Sequence, residues 1–156
     1  MDRFHRFILG ILSELGIPFD IETQDGRCCI QKAVYLVQAA GKDIGYRFRW
    51  YRRGPYSSEL ADAYFEFSRK EIESTPVAVH DGIPIVKEII ARCPEGVHLD
   101  QWLEAVASLD YLKRVRRLSE SDARDAFQQE CQLLEPLYEQ ASTAAIGMPP
   151  VGGQEL

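Results

Sequence analysis

The sequence predicts a mainly α fold: a compact bundle of five to six helices with one short extended segment before a Gly-Pro turn. Three observations predict it. Apolar residues recur at i, i+3 and i+4 along most of the chain, the spacing of one helical face. One run, Tyr46 to Trp50, alternates ring and guanidinium with the period of a strand. Glycine and proline fall between the periodic stretches, where helices must stop.

Phe4, Phe7, Ile8, Ile11, Leu12 and Leu15 mark a first helix from Asp2 to Leu15, ended by Gly16 and Pro18. A polar loop is expected from Asp20 to Gly26. Ile30, Ala33, Val34, Val37 and Ala40 share a face of a second helix that stops at Gly41. Tyr35 and Leu36 add apolar surface on its other sides, so this helix should lie at the centre of the bundle, with Gln31 and Lys32 as its polar exceptions.

Asp43 to Arg53 reads as extended. Within it Tyr46, Phe48 and Trp50 share one strand face and Arg47 and Arg49 the other, a core side and a partner side. Gly54-Pro55 reads as a turn, and Ser57 or Ser58 as the cap of a third helix reaching Ile72, with Leu60, Ala61, Tyr64, Phe65 and Phe67 packed inward. From Thr75 to Gly82 two readings compete: a hairpin closed at Asp81-Gly82, or a helix with Pro84 at its first position carrying Ile85, Ile89 and Ile90. The helix is favoured. Cys93-Pro94-Glu95-Gly96 ends it. Leu99, Trp102, Leu103, Val106, Leu109, Leu112 and Val115 give the strongest helical period. Ser119, with Asp122 three residues on, opens a final helix that Pro136 should kink. Residues 1–141 form one helical domain in this reading, and 142–156, small and rich in glycine and proline, a disordered tail.

Composition narrows function. At 156 residues and 46% hydrophobic, the chain suffices for one core. A net charge of −6 argues against general polyanion binding, though not against a local basic face. No apolar run approaches the roughly 18 residues of a membrane span, and no signal-peptide pattern opens the chain, so a cytoplasmic protein is expected. Cys28, Cys29, Cys93 and Cys131 lack zinc-site spacing and read as reduced, buried thiols. No phosphate loop, metal motif or nucleophile motif occurs, so no catalytic residue, metal or cofactor is predicted.

Three segments carry a family resemblance. Gly26-Arg27-Cys28-Cys29-Ile30-Gln31-Lys32-Ala33-Val34-Tyr35-Leu36 resembles the opening motif of YwgA-like bacterial and archaeal proteins. Gly45-Tyr46-Arg47-Phe48, with Tyr51-Arg52-Arg53-Gly54-Pro55-Tyr56-Ser57-Ser58-Glu59-Leu60, is similar to their Tyr-rich Gly-Pro-Tyr-Ser segment, and the helix around Trp102-Leu103-Glu104 is similar to a later one. That family distantly resembles the Panacea domain of SocA-like antitoxins and of a proteolytic adaptor. The resemblance implies a non-catalytic, protein-binding role, of the kind found beside toxin or phage-defence genes.

Each motif has a plain structural reading beside the functional one. In the Gly54-Pro55-Tyr56-Ser57 turn, Gly54 permits an unusual backbone angle, Pro55 sets φ and a serine caps the helix, leaving Tyr56 and Arg53 to face a partner. Lys32 and Tyr35 share a helix face. Either the lysine stem covers apolar surface with its ammonium in water, or Gln31 and Lys32 line a pocket with the turn. Two basic patches, Arg47/Arg49/Arg52/Arg53 and Lys113/Arg114/Arg116/Arg117, read as solvated charge or as nucleic-acid contacts. Arg92 and His98 fit the loose Arg-to-His spacing of HEPN ribonucleases, although Pro94 and Gly96 interrupt the helix that motif needs. The expected function is a protein-interaction module, antitoxin-like or a regulatory adaptor, that grips another protein with Arg52, Arg53 and Tyr56. The alternatives are a nucleic-acid-binding regulator and, third, a HEPN-like ribonuclease.

Overall fold

Helix α2 (Gln24–Ala40) is the element around which the others assemble in the computed structural model, which describes residues 3–150. Its residues Ile30, Ala33, Val34, Leu36 and Val37 are fully buried, as expected of a helix that is apolar on more than one side. Its largest packing partner is α6 (Leu99–Arg114), whose Trp102, Leu103, Val106, Leu109 and Leu112 are likewise fully buried. Helices α1 (Arg3–Leu15) and α5 (Ile83–Ala91) cover one side of α2. Helix α7 (Glu120–Glu130) and α8 (Tyr138–Ala144) pack against α6. Helices α3 (Ser58–Glu66) and α4 (Arg69–Glu73) follow a two-stranded antiparallel hairpin, β1 (Arg49–Tyr51) and β2 (Gly54–Tyr56). The mainly α expectation holds, with eight α-helices among the described residues.

Several boundaries differ, each for a physical reason. The second helix starts inside the segment expected to be a loop. Thr23 caps it, its Oγ1 accepting from the Gly26 N–H at 3.0 Å. Gly26 is needed there because a Cβ would clash with the Asp20 carbonyl and carboxylate, which fold back over the first turn. The turn expected at Gly54-Pro55 lies two residues earlier, at Arg52-Arg53. Tyr51 pairs with Gly54 and Trp50 with Pro55, so Gly54 and Pro55 belong to β2, with Gly54 at φ +87° just past the turn. Only Arg49–Tyr51 of the extended run forms ladder pairs. The third helix breaks at Phe67 because Ser68 and Glu71 form a capping box that starts α4, and Phe65, expected inside, is 58% exposed.

The helical reading of Pro84 is correct: it sits in the first turn of α5. Ser119 caps α7 as expected, accepting from the Asp122 N–H. Pro136 does not kink a continuous helix. The chain leaves α7 at Cys131 and passes through a 3-10 turn, Gln132–Leu137, before α8. The boundary drawn at 142 falls within α8, which runs to Ala144. A further 3-10 turn follows, and Met148 is buried against the core. Residues 151–156, the remainder of the expected tail, lie outside the described residues, as does the start of the first helix at Asp2.

Candidate functional site: the Arg52-Arg53 hairpin and its cleft

The face of α2 that meets the hairpin is polar, and its polarity is spent on backbone. Gln31 brackets Ser57, donating from Nε2 to its carbonyl at 2.9 Å and accepting its N–H at Oε1 at 2.8 Å. Two turns on, Gln38 does the same to Tyr46, at 2.8 and 3.1 Å. Lys32 donates to the Pro55 carbonyl at 2.8 Å. The chain from Tyr46 to Ser57 is thus stapled to a helix by side chains where a sheet would supply ladder bonds, which satisfies its buried backbone groups. Between the two glutamines, Tyr35 packs edge-on against Phe48 at 5.3 Å and donates its hydroxyl to Asp110 at 2.7 Å. Burial first, then the Asp110 charge, raises the Tyr35 pKa well above its ordinary value and keeps the phenol protonated.

The division of faces read from the alternation is present. Tyr46 is buried and Phe48 and Trp50 half-buried, while Arg47 and Arg49 are exposed. Arg52 is exposed at the hairpin tip. None of these three guanidinium groups has a carboxylate at ion-pair distance among the described residues.

Arg53 differs. Its Nε meets Glu104 at 2.7 Å, one terminal nitrogen meets Asp100 at 2.8 Å and the other Asp25 at 3.2 Å. Burial works against its charge, but its hydrogen bond to Asp100 and its hydrogen bond to, and attraction by, Glu104 more than offset it and raise its pKa. Arg53 therefore ties the hairpin to α2 and α6 and is not available as the partner contact expected of it. Burial raises Glu104 above its ordinary value even against the pull of Arg53.

The second basic patch is likewise occupied. Arg114, 11% exposed, forms an ion pair with the buried Asp110 and donates to the Pro149 carbonyl. Lys113 meets Glu120, and Arg116 meets Glu130 while its guanidinium lies 4.9 Å over the Trp50 ring. Arg117 stands at φ +56° just past α6. Arg114 and Arg116 are thus structural: one anchors the chain after α8, the other closes over the hairpin. The HEPN spacing does not produce a shared helical face. Arg92 caps the end of α5 and pairs with Glu88, and His98 caps the start of α6 across the intervening loop.

A cleft of about 360 Å³ opens between α2, the hairpin and α3. Its floor carries Gln31, Lys32 and Cys28, and Arg27 and Arg52 stand at its sides. The rings of Tyr51, Tyr56, Tyr64 and Phe65 wall it; Tyr51 stacks on Tyr56 at 5.3 Å, and Phe65 packs edge-on against Tyr64 at 4.9 Å. Of the two readings of Lys32, the pocket-lining one matches the geometry: the side chain is 2% exposed, so its ammonium does not reach bulk water. Burial lowers its pKa. The adjacent thiols supply no charge, since burial pushes Cys28 up to about 11 and Cys29 up to about 12. Sequence reasoning missed Asp25, Asp100 and Glu104. The i, i+4 spacing of Asp100 and Glu104 on α6 was visible, but nothing local ties either to Arg53.

Comparison of the chain with family models, with curated proteins and with solved structures yields no match. Among the described residues no helix is long and apolar enough to cross a membrane.

Proposed function

We propose that this protein is a non-enzymatic interaction module, antitoxin-like or a regulatory adaptor, that grips another protein with the outer edge of its hairpin. The observation that carries this reading is the juxtaposition of Arg49 and Arg52, exposed and without carboxylate partners among the described residues, with Tyr51, which is 59% exposed on the same short strand and turn. Arginine and tyrosine anchor protein interfaces because they combine large contact area with directional donors. The three carboxylates on Arg53 hold the tip in place, so little ordering entropy is lost on binding. The partner surface is acidic, and the setting is the cytoplasm, where four free thiols stay reduced. Occupation of Lys113, Arg114 and Arg116 in the second basic patch by the protein's own carboxylates leaves the nucleic-acid reading resting chiefly on Arg47, Arg49 and Arg52.

The test is affinity capture of the tagged protein co-expressed with its genomic neighbours, alongside a Tyr51→Ala/Arg49→Glu/Arg52→Glu variant of unchanged melting temperature. A stoichiometric protein partner retained by the wild type and lost by the variant is expected. Recovery of no protein, or of one held equally by both, removes the reading. Nuclease-sensitive, salt-labile recovery of nucleic acid by the wild type alone favours the regulator instead.

A further inference from the structure

The cleft beneath the hairpin gathers cationic side chains whose donors the fold uses only in part. Lys32 is a buried ammonium with three donors, and the one acceptor found for it among the described residues is the neutral Pro55 carbonyl at 2.8 Å. Arg27 donates to the Ile21 carbonyl and Arg52 has no ion-pair partner among the described residues. No aspartate or glutamate lines the cleft. The carboxylate whose charge reaches Lys32, Glu104, is hydrogen-bonded to Arg53, so the buried ammonium is only partly compensated, and an anion supplied by a ligand would complete it.

The walls add a second requirement. Tyr56 and Tyr64 both line the cleft, and aromatic faces of this kind stack planar bases irrespective of their identity. The space, about 360 Å³, lies near the lower end of the range of small-ligand clefts, about 300–1,000 Å³, which suits one nucleotide and not a strand.

We propose that this cleft is a mononucleotide site: the phosphate is held by Lys32, Arg27 and Arg52, and the base lies against the tyrosine rings. The site shares Arg52 and Tyr51 with the protein-binding edge, but Lys32 and Arg27 belong to the cleft alone, so Lys32→Met distinguishes failure of this assignment from failure of the other. Burial lowers the affinity of Lys32 for its proton, and a bound phosphate reverses that trend by favouring the charged form.

Isothermal titration of the full chain with adenosine monophosphate, adenosine and inorganic phosphate tests the proposal. Saturable binding of the monophosphate is expected, with phosphate at least about tenfold weaker and adenosine weaker still. Arg52→Glu should weaken binding by about tenfold or more, and Arg47→Glu, an equal charge change outside the cleft lining, by less than about twofold. Lys32→Met, checked for a cooperative melt, should abolish the advantage of the monophosphate over adenosine. Absence of monophosphate binding up to about 1 mM overturns the proposal. So does phosphate binding as tight as the monophosphate, or an Arg47→Glu effect equal to that of Arg52→Glu.

Discussion

Removal of the Arg53 guanidinium should cost the protein about 3 kcal/mol. In Arg53→Met the apolar stem is kept and only the charge is lost. Three carboxylates then lose their partner. Asp25 is 74% exposed and returns to water at little cost. Asp100 and Glu104 are each 13% exposed and do not. A hydrogen bond to a charged group contributes about 1.5–3 kcal/mol, and breaking a buried pair from one side costs about 3–5 kcal/mol. Arg53 itself is 26% exposed, which places the loss at the lower end of that range. For a chain of this size about 3 kcal/mol lowers Tm by roughly 6–12 °C.

The sign with pH follows from Glu104, whose pKa burial already raises above 4.5. Without Arg53 it rises further, so the folded state binds the proton more tightly than the unfolded one. The deficit of Arg53→Met should therefore shrink as the pH falls through the folded-state value toward 4.5. Glu104→Gln added to Arg53→Met should also recover part of the loss. Thermal and urea unfolding followed by circular dichroism, from neutral pH into the acid range, measure both. A loss below about 1 kcal/mol, or one indifferent to acid and to Glu104→Gln, would show that these contacts are surface ion pairs and that Arg53 does not anchor the hairpin.

Two further outcomes follow from the same face. Lys32→Met removes a group whose folded-state pKa is lowered by burial, so wild-type stability should rise relative to the variant as the pH climbs through that value toward the ordinary 10.5, at no more than about 1.4 kcal/mol per unit. Parallel alkaline melting curves would contradict this. Gly54→Ala imposes a left-handed φ on an L-residue, a cost of about 1–2 kcal/mol, and drives its Cβ into the Ser108 hydroxyl. Gly54→Ala/Ser108→Ala should recover the steric part and leave the backbone part, read as a partial return of the unfolding midpoint; complete or absent recovery would refute that partition.

Much of this was legible locally. The stripe of α6, the caps at Ser57 and Ser119, proline in the first turn of α5 and the inward rings of Tyr46, Phe48 and Trp50 all depend on geometry within one element. A 3.6-residue or two-residue repeat is written directly in the order of residues. Thr23 was an equally local signal, masked because Gly26 reads as loop; only the fold of Asp20 over that turn explains a glycine inside a helix. The turn was displaced by two residues because Gly-Pro resembles a turn pair, whereas ladder pairing put both residues in β2.

The fate of the polar side chains was decided in three dimensions. Gln31 and Lys32 meet backbone more than twenty residues away, at Ser57 and Pro55. Arg53 meets carboxylates before and after it in the chain, and Arg114 turns inward to Asp110 while Arg52 stays in water. Burial of an apolar residue is non-directional and roughly proportional to area, so a periodic stripe announces it in advance. A charge or an amide needs a particular partner at a particular distance, and packing of distant elements supplies that partner. Periodicity therefore determined the helices and the inward rings of this protein, and tertiary packing determined which of its arginines hold the fold together and which remain available for binding.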